Sequence, residues 1–257
     1  MLAVISPAKK LDFDRTDMPE NFTQPEFLSQ TKKLITRGRK LSADDLKRLM
    51  KISDDLSTLN KQRFKAMKLP LTPENAKQAA YAFNGDTYTG LRVASFSEVD
   101  MTYAQDHLRI LSGLYGLVRP LDLIQPYRLE MGIRLETDRG NSLYQFWGDR
   151  LSRKLSALLK DHETPRLINL ASHEYFKAVD RASLKAEIIT PIFKEINGNE
   201  AKVIGFSAKR ARGMMARYMI QNRIDQSEGL KDFAEEGYKF QPTLSSNSDY
   251  IFTRIIN

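Results

Sequence analysis

Residues 107–134 read HLRILSGLYGLVRPLDLIQPYRLEMGIR, and how this stretch folds decides how the rest of the chain is arranged. It opens as the end of an amphipathic helix and then meets Gly113 and Gly116, residues able to break a helix. Proline-interrupted turns follow at Pro120 and Pro126, and Arg109, Arg119, Arg128 and Arg134 punctuate the whole segment. A helix end, a glycine turn and cations together can seat a phosphate backbone or a small anion. Two glycines that merely end a helix would look the same.

Working outward, Ser97-Glu98-Val99-Asp100 predicts the cap of a helix leading into this stretch, with Met101, Ala104, Leu108 and Leu111 on its buried face. Downstream, residues 141–160 predict one long helix, its stripe of Leu143, Phe146, Trp147, Leu151, Leu155 and Leu158 belonging to the core. Toward the N-terminus, residues 81–91 (YAFNGDTYTGL) read as two short strands around an Asn84-Gly85-Asp86 turn. Pro25 opens a helix to about Gly38, Ser42 and Ser53 cap helices over 43–51 and 54–66, and Thr72-Pro73-Glu74 is a further helix start. Residues 1–6 (MLAVIS), apolar and closed by Pro7, predict a buried strand with Lys9 and Lys10 beside its carboxyl end. In the last third, residues 166–172, 186–196 and 202–207 predict strands, the latter two joined by an Asn197-Gly198-Asn199 turn. A helix follows over 208–224, then two short strands within 238–255. The expectation is a mixed α/β fold: one domain over residues 1–257, its mixed central sheet surrounded by helices.

Composition narrows the function. Lys and Arg number 40 against 32 Asp and Glu, a formal charge of +8, which favours anionic partners, nucleic acid first. A solvated basic surface without a ligand would give the same balance. The absence of cysteine excludes disulfides, thiolate metal sites and cysteine nucleophiles. No apolar run approaches the ~20 residues that span a bilayer, and the N-terminus MLAVISPAKK lacks the basic start of a secretory signal. A cytoplasmic protein is expected, with no membrane partner, and a monomer is favoured.

A second basic feature lies in residues 205–223, GFSAKRARGMMARYMIQNR. At 100° per residue Ala208, Ala211, Met214, Met215, Tyr218 and Met219 share one side, while Lys209, Arg210, Arg212, Arg217 and Arg223 gather on the other, with no acid before Asp225. The helix–GLYG–turn of the opening stretch resembles a helix-hairpin-helix, although two residues rather than one separate its glycines and Pro120 shortens any second helix. Metal binding lacks donors: His107, His162 and His173 are scattered, and His173-Glu174-Tyr175-Phe176-Lys177 begins like HExxH but ends in lysine. There is no GxxxxGK[ST], GxGxxG or GxSxG. Glu130, Glu136 and Asp149 can act as acids or bases, or simply pair with arginines. Neither a cofactor nor a metal is expected, and no catalytic residue is assigned.

ISPAK, FNGDTYTGL, HLRILSGLYGLVRPLDLIQPYRLEMG, LYQFWGD, LINLAS followed by EYFK, and AKRARGMMARY together make the chain similar to the YaaA family of peroxide-stress-response proteins over its whole length. The resemblance implies a bacterial cytosolic protein that limits unincorporated iron during hydrogen peroxide stress. It also implies binding of duplex or branched DNA through a basic cleft with a helix-hairpin-helix element. Carried onto this sequence, that element falls on residues 112–119, including Gly113 and Gly116. The cleft would draw on Lys9, Lys10, Arg109, Arg119, Arg128, Arg134, Lys209, Arg210 and Arg212. Lys10 departs from the small hydroxyl residue usual after ISPAK. Two functions therefore stand side by side: a non-sequence-specific DNA-binding protein, and an enzyme acting on a phosphate-bearing small molecule, with Tyr115, Tyr127, Arg128 and Glu130 as candidates near the hairpin.

Overall fold

The computed structural model describes residues 1–14, 18–198 and 200–256. Its organising element is a mixed eight-stranded sheet: β1 (Leu2–Ile5), β2 (Leu108–Ser112), β3 (Gly116–Val118), β4 (Arg166–Leu170), β5 (Glu187–Asn197), β6 (Glu200–Lys202), β7 (Lys239–Phe240) and β8 (Asp249–Ile255). The order across it is β7-β8-β5-β4-β1-β2-β3, with β6 paired to the end of β5. β8, β5, β4, β1 and β2 run parallel, while β3, β6 and β7 are antiparallel additions. β1 lies inside the parallel array, which is why Leu2, Ala3, Val4 and Ile5 are all apolar and all buried. Ile5 aligns with both Ile110 and Leu170, so β1, β2 and β4 finish along one carboxyl edge.

The capped helices form where serine precedes an acidic first turn. They are α2 (Ala43–Met50) behind Ser42 and α3 (Asp54–Ala66) behind Ser53. α5 (Glu98–His107) starts behind Ser97, whose hydroxyl accepts from the Asp100 amide while Asp100 reaches back to the Ser97 amide. α1 (Leu28–Arg39) follows Pro25 as expected. β7 and β8 occupy the predicted tail strands.

Several elements differ from the sequence reading. α5 ends at His107, and Leu108–Ser112 is a strand, since alignment with β1 buries every residue of LRILS. Residues 84–86 do not join two strands: Phe83–Asn84 pairs with Lys10–Leu11, and Asp86 begins α4 (Asp86–Leu91). Thr72 starts only a turn, because Lys77–Gln78 is drawn into antiparallel pairing with Leu123–Ile124. The long helix is two, α6 (Leu143–Trp147) and α7 (Arg150–Leu159), divided at Gly148; Leu159 then replaces Leu158 as the fully buried residue. The strand expected over 202–207 ends at Lys202, and α8 (Gly205–Gln221) starts three residues later. β5 and β6 pair antiparallel, as a hairpin requires, but Asn199 of the predicted turn lies outside the described residues.

α8 seats against α4 almost backbone to backbone. A Cβ at Gly213 would stand 1.8 Å from the Thr87 carbonyl oxygen, and one at Gly90 would stand 2.1 Å from that of Arg210. Only glycine permits such an approach. It anchors the cationic helix beside the carboxyl edge, where Tyr88 of α4 donates a hydrogen bond to the Ser6 carbonyl at 3.1 Å.

Candidate functional site

In an open parallel sheet, ligand sites form where the chain leaves the carboxyl ends of the strands. Here the residues leaving β1 and β4 are linked by hydroxyl groups, and the one ending β2 holds a tyrosine hydroxyl. Ser6, after β1, accepts from the Ser172 amide at 2.9 Å and donates to the Ser172 hydroxyl at 3.3 Å. Ser112, ending β2, is hydrogen-bonded to the Tyr127 hydroxyl at 2.6 Å while accepting from the Tyr115 amide. Burial pushes the Tyr127 phenol well up, and that of Tyr88 likewise, so both stay protonated hydrogen-bonding groups. Beyond Tyr127 the chain carries Arg128 and Glu130. One Glu130 oxygen accepts from Arg128 Nε at 3.0 Å and faces Lys9 Nζ at 3.5 Å; the other, Oε2, is buried with no hydrogen-bond partner among the described residues. Gly132, two residues on, donates its amide to Glu174, which follows β4. The loop bearing Arg134 is thereby fastened to this edge.

α8 contributes from the other side. β6 is paired to the carboxyl end of β5, and α8 begins just past it, so its first half lies along the same edge. Lys209 is exposed and Arg212 half-buried, and neither has an ion-pair or hydrogen-bond partner among the described residues. Burial alone lowers the Arg212 pKa, so the guanidinium is desolvated without compensation. Lys10 and Arg134 are likewise exposed with no such partner among the described residues.

The remaining predicted cations are engaged elsewhere. Gly113 and Gly116 do not present amides to solvent. Residues 112–119 form a β-turn hairpin rather than a helix-hairpin-helix, and both glycines are buried. Gly116 has φ +79°, and a Cβ there would meet the Trp147 ring at 2.8 Å; Gly113 abuts the Leu129 carbonyl and accepts the Trp147 indole N–H at 3.0 Å. The short apolar run on each side favours a strand pair once β1 is available to dock against. Arg109 is buried near the amino end of β2, donating to the Gln105 and Leu108 carbonyls, and burial lowers its pKa to about 10. It lines a separate cavity of about 460 Å³ with His107, His162 and Arg223. Arg119 is held by Asp122 at 3.0 Å. On α8, Arg210 pairs with Glu236 at 2.5 Å, Arg217 with Glu235, and Arg223 with Asp100 at 2.8 Å. The face that looked free of acids in its own helix is therefore neutralised in part by carboxylates from other segments.

His107 and His162, 55 residues apart, come together with ring centroids at 4.6 Å, a proximity no local pattern reveals. No group of three or more His, Asp or Glu side chains poised to hold a metal occurs among the described residues. No helix there is long and apolar enough to cross a membrane.

Residues 1–244 match the family described as "Peroxide stress protein YaaA". The chain belongs to the YaaA family. Relatives span it almost end to end. A UPF0246 protein of Magnetococcus marinus is 55% identical over 254 residues, covering 99% of each chain. Another, of Caulobacter vibrioides, is 54% identical with the same coverage. A third, of Cellvibrio japonicus, is 52% identical over 99% of this chain and 98% of its own. The YaaA assignment places this protein among peroxide-stress proteins and covers all the elements that build the carboxyl edge.

Proposed function

We propose that the protein binds duplex or branched DNA without sequence preference through the carboxyl edge of its sheet, as its part in the peroxide-stress response of the YaaA family. The observation that carries this reading is that Lys10, Arg134, Lys209 and Arg212, in segments attached to or running beside that edge, have no ion-pair or hydrogen-bond partner for their side chains among the described residues. Other arginines of the chain have found carboxylates or carbonyls. Unspent cations on a chain of net charge +8 suit a polyanion, which exchanges its counterions for them. Contact of this kind is with phosphates and carries no sequence information. The association with low unincorporated iron is then an outcome in the cell rather than a property of a metal site.

The test is binding of a fluorescent duplex over a salt series. Four neutralised phosphates give log K falling against log salt with a slope of about −3.6, and each lost cation flattens it by about 1. Lys209→Ala with Arg212→Ala should weaken all sequences alike. Binding that ignores salt and these substitutions would refute the reading.

A second reading is favoured by one feature, the buried unpartnered Oε2 of Glu130 beside the Ser112–Tyr127 hydroxyl pair. These are the groups of an acid–base site, and a phosphate-bearing small molecule could be held there by Arg128 and Lys9. A thermal-shift screen of nucleotides and sugar phosphates separates the two, because a specific small ligand raises the melting temperature by mass action.

A further inference from the structure

The cavity that Arg109 lines opens at the amino ends of β1, β2 and β4, opposite the edge where Ser6, Ser112 and Ser172 leave the strands. Its walls come from α5, the turn after α7 and the segment after α8. At about 460 Å³ it has the size of a small-molecule site, roughly 300–1,000 Å³. Charge changes sign between its floor and its mouth. Arg109 is 6% exposed; its Nη1 donates to the Gln105 and Leu108 carbonyls, while Nε and Nη2 have no hydrogen-bond partner among the described residues. Buried Met1 adds its ammonium, 3.4 Å from His162 Nδ1. Asp106, Asp161 and Glu163 are exposed and Asp225 is half-buried, and none of these four carboxylates has an ion-pair or hydrogen-bond partner among the described residues. They stay unpaired on a chain with 40 Lys and Arg against 32 Asp and Glu. Arg223 is already taken up, by Asp100 at 2.8 Å and by the face of the Tyr103 ring. Tyr103 stacks on His107 with centroids at 3.7 Å, and its hydroxyl is buried with no partner among the described residues. His107 Nδ1 donates to the Met1 carbonyl at 2.8 Å, which leaves Nε2 as an acceptor. Burial lowers the pKa of both histidines, that of His162 to about 4, so both rings are neutral at pH 7.

A phosphate chain entering this cavity would pass four carboxylates and be repelled. Among the described residues no three carboxylate or imidazole groups are poised to share a metal ion, so the negative charges are spaced more widely than one ion can use. Spaced anions at the mouth and a buried guanidinium within match a molecule with a carboxylate at one end and cations further along. We infer that this cavity binds a free amino acid with a cationic side chain, its carboxylate on Arg109 and its cations among Asp106, Asp161, Glu163 and Asp225. A guanidinium offers a carboxylate two parallel, charge-assisted hydrogen bonds, which is why arginine rather than lysine suits the floor. The Tyr103–His107 stack gives an aliphatic stem a flat surface, and His107 Nε2 can accept from an ammonium. The site shares no residue with the cations of the DNA-binding reading and stands or falls without it.

The experiment is isothermal titration calorimetry of the whole chain with L-arginine, with agmatine, which lacks the carboxylate, and with L-citrulline, which lacks the side-chain charge. L-Arginine should bind and should shift the His107 and His162 ring resonances in NMR spectra. Agmatine should bind about 10- to 150-fold more weakly, the range of one charge-assisted bond at a buried group. L-Citrulline should bind about 2- to 5-fold more weakly, as expected for an exposed ion pair. Arg109→Gln should remove the discrimination against agmatine. Because Arg109 is buried and its loss can unfold the chain, Asp161→Asn with Glu163→Gln supplies a second variant at exposed positions, where the fold should hold. Its affinity for L-arginine should fall by about 2- to 30-fold. The proposal is overturned by no heat with L-arginine, by either analogue binding as tightly as L-arginine, or by a double variant that binds like the wild type. Heat without movement of the two ring resonances places the ligand elsewhere and overturns it as well.

Discussion

Gly213→Ala tests whether the backbone contact between α8 and α4 holds the cationic helix in place. The new Cβ would lie 1.8 Å from the Thr87 carbonyl oxygen, where ordinary contact begins at 3.4 Å, so the helices must part by about 1.6 Å. The obstacle is backbone on both sides and cannot rotate away. Overpacking in a core costs about 1–3 kcal/mol, and this site belongs at the upper end, because parting the helices also strips contacts from Met214 and Leu91, both buried. Alanine recovers up to about 1 kcal/mol of helix propensity. A net loss of about 2 kcal/mol is expected, which at a urea dependence of about 2 kcal/mol per molar lowers the midpoint by about 1 M. Gly205→Ala is the control: the same helix, but nothing within 4 Å of the added methyl, so stability should hold or rise slightly. Urea unfolding followed by far-ultraviolet circular dichroism reads both. Equal midpoints for the two variants would refute the packing argument. Where Gly213→Ala still folds, the proposed DNA binding predicts a weaker complex as well, since Lys209 and Arg212 are displaced with the helix.

Three other outcomes follow from particular contacts. Glu130→Gln removes the charge that Arg128 and Lys9 share, costing about 1.5–3 kcal/mol of charge-assisted bonding around a group that is 7% exposed, read as a lower melting temperature. Gly116→Ala, at φ +79° and against the Trp147 ring, should destabilise the protein and shift the emission of its one tryptophan to longer wavelength. His162 is held to about 4 by burial, with the neighbouring N-terminal amine and His107 adding to the effect; the ordinary value is 6.5. The unfolded chain therefore takes up this proton before the folded one does. Stability is complete above about pH 6.5 and falls as pH drops toward 4, and His162→Gln should flatten that limb of a melting-temperature profile. An NMR titration placing the His162 midpoint near 6.5 would contradict it.

Much of this architecture was legible one segment at a time. MLAVI, RLINL and AEIITPIFKEI announce buried strands because continuous apolar or alternating runs have nowhere else to go, and they became β1, β4 and β5. Ser42, Ser53 and Ser97 announce helices because a cap is satisfied within its own four residues. Lys10, Lys209 and Arg134 were also visible as exposed cations. LRILS was ambiguous for a physical reason: four apolar or amphipathic residues fit a helix face or a strand equally well, and only β1, a hundred residues earlier, supplies the edge that makes it β2.

The sequence by itself determined the capped helices, the apolar strands, the excess of positive charge and membership of a family, because these depend on neighbours along the chain or on sums over it. The tertiary structure alone decided which charges are spent. Glu235 and Glu236 cross to Arg217 and Arg210, Asp100 crosses to Arg223, and Arg109 is buried at the opposite end of its strand from Ser112. It likewise turned GLYG from a phosphate-binding hairpin into the packed floor beneath Trp147. Charge pairing and close packing are settled by distances across the fold, and sequence separation carries no information about them.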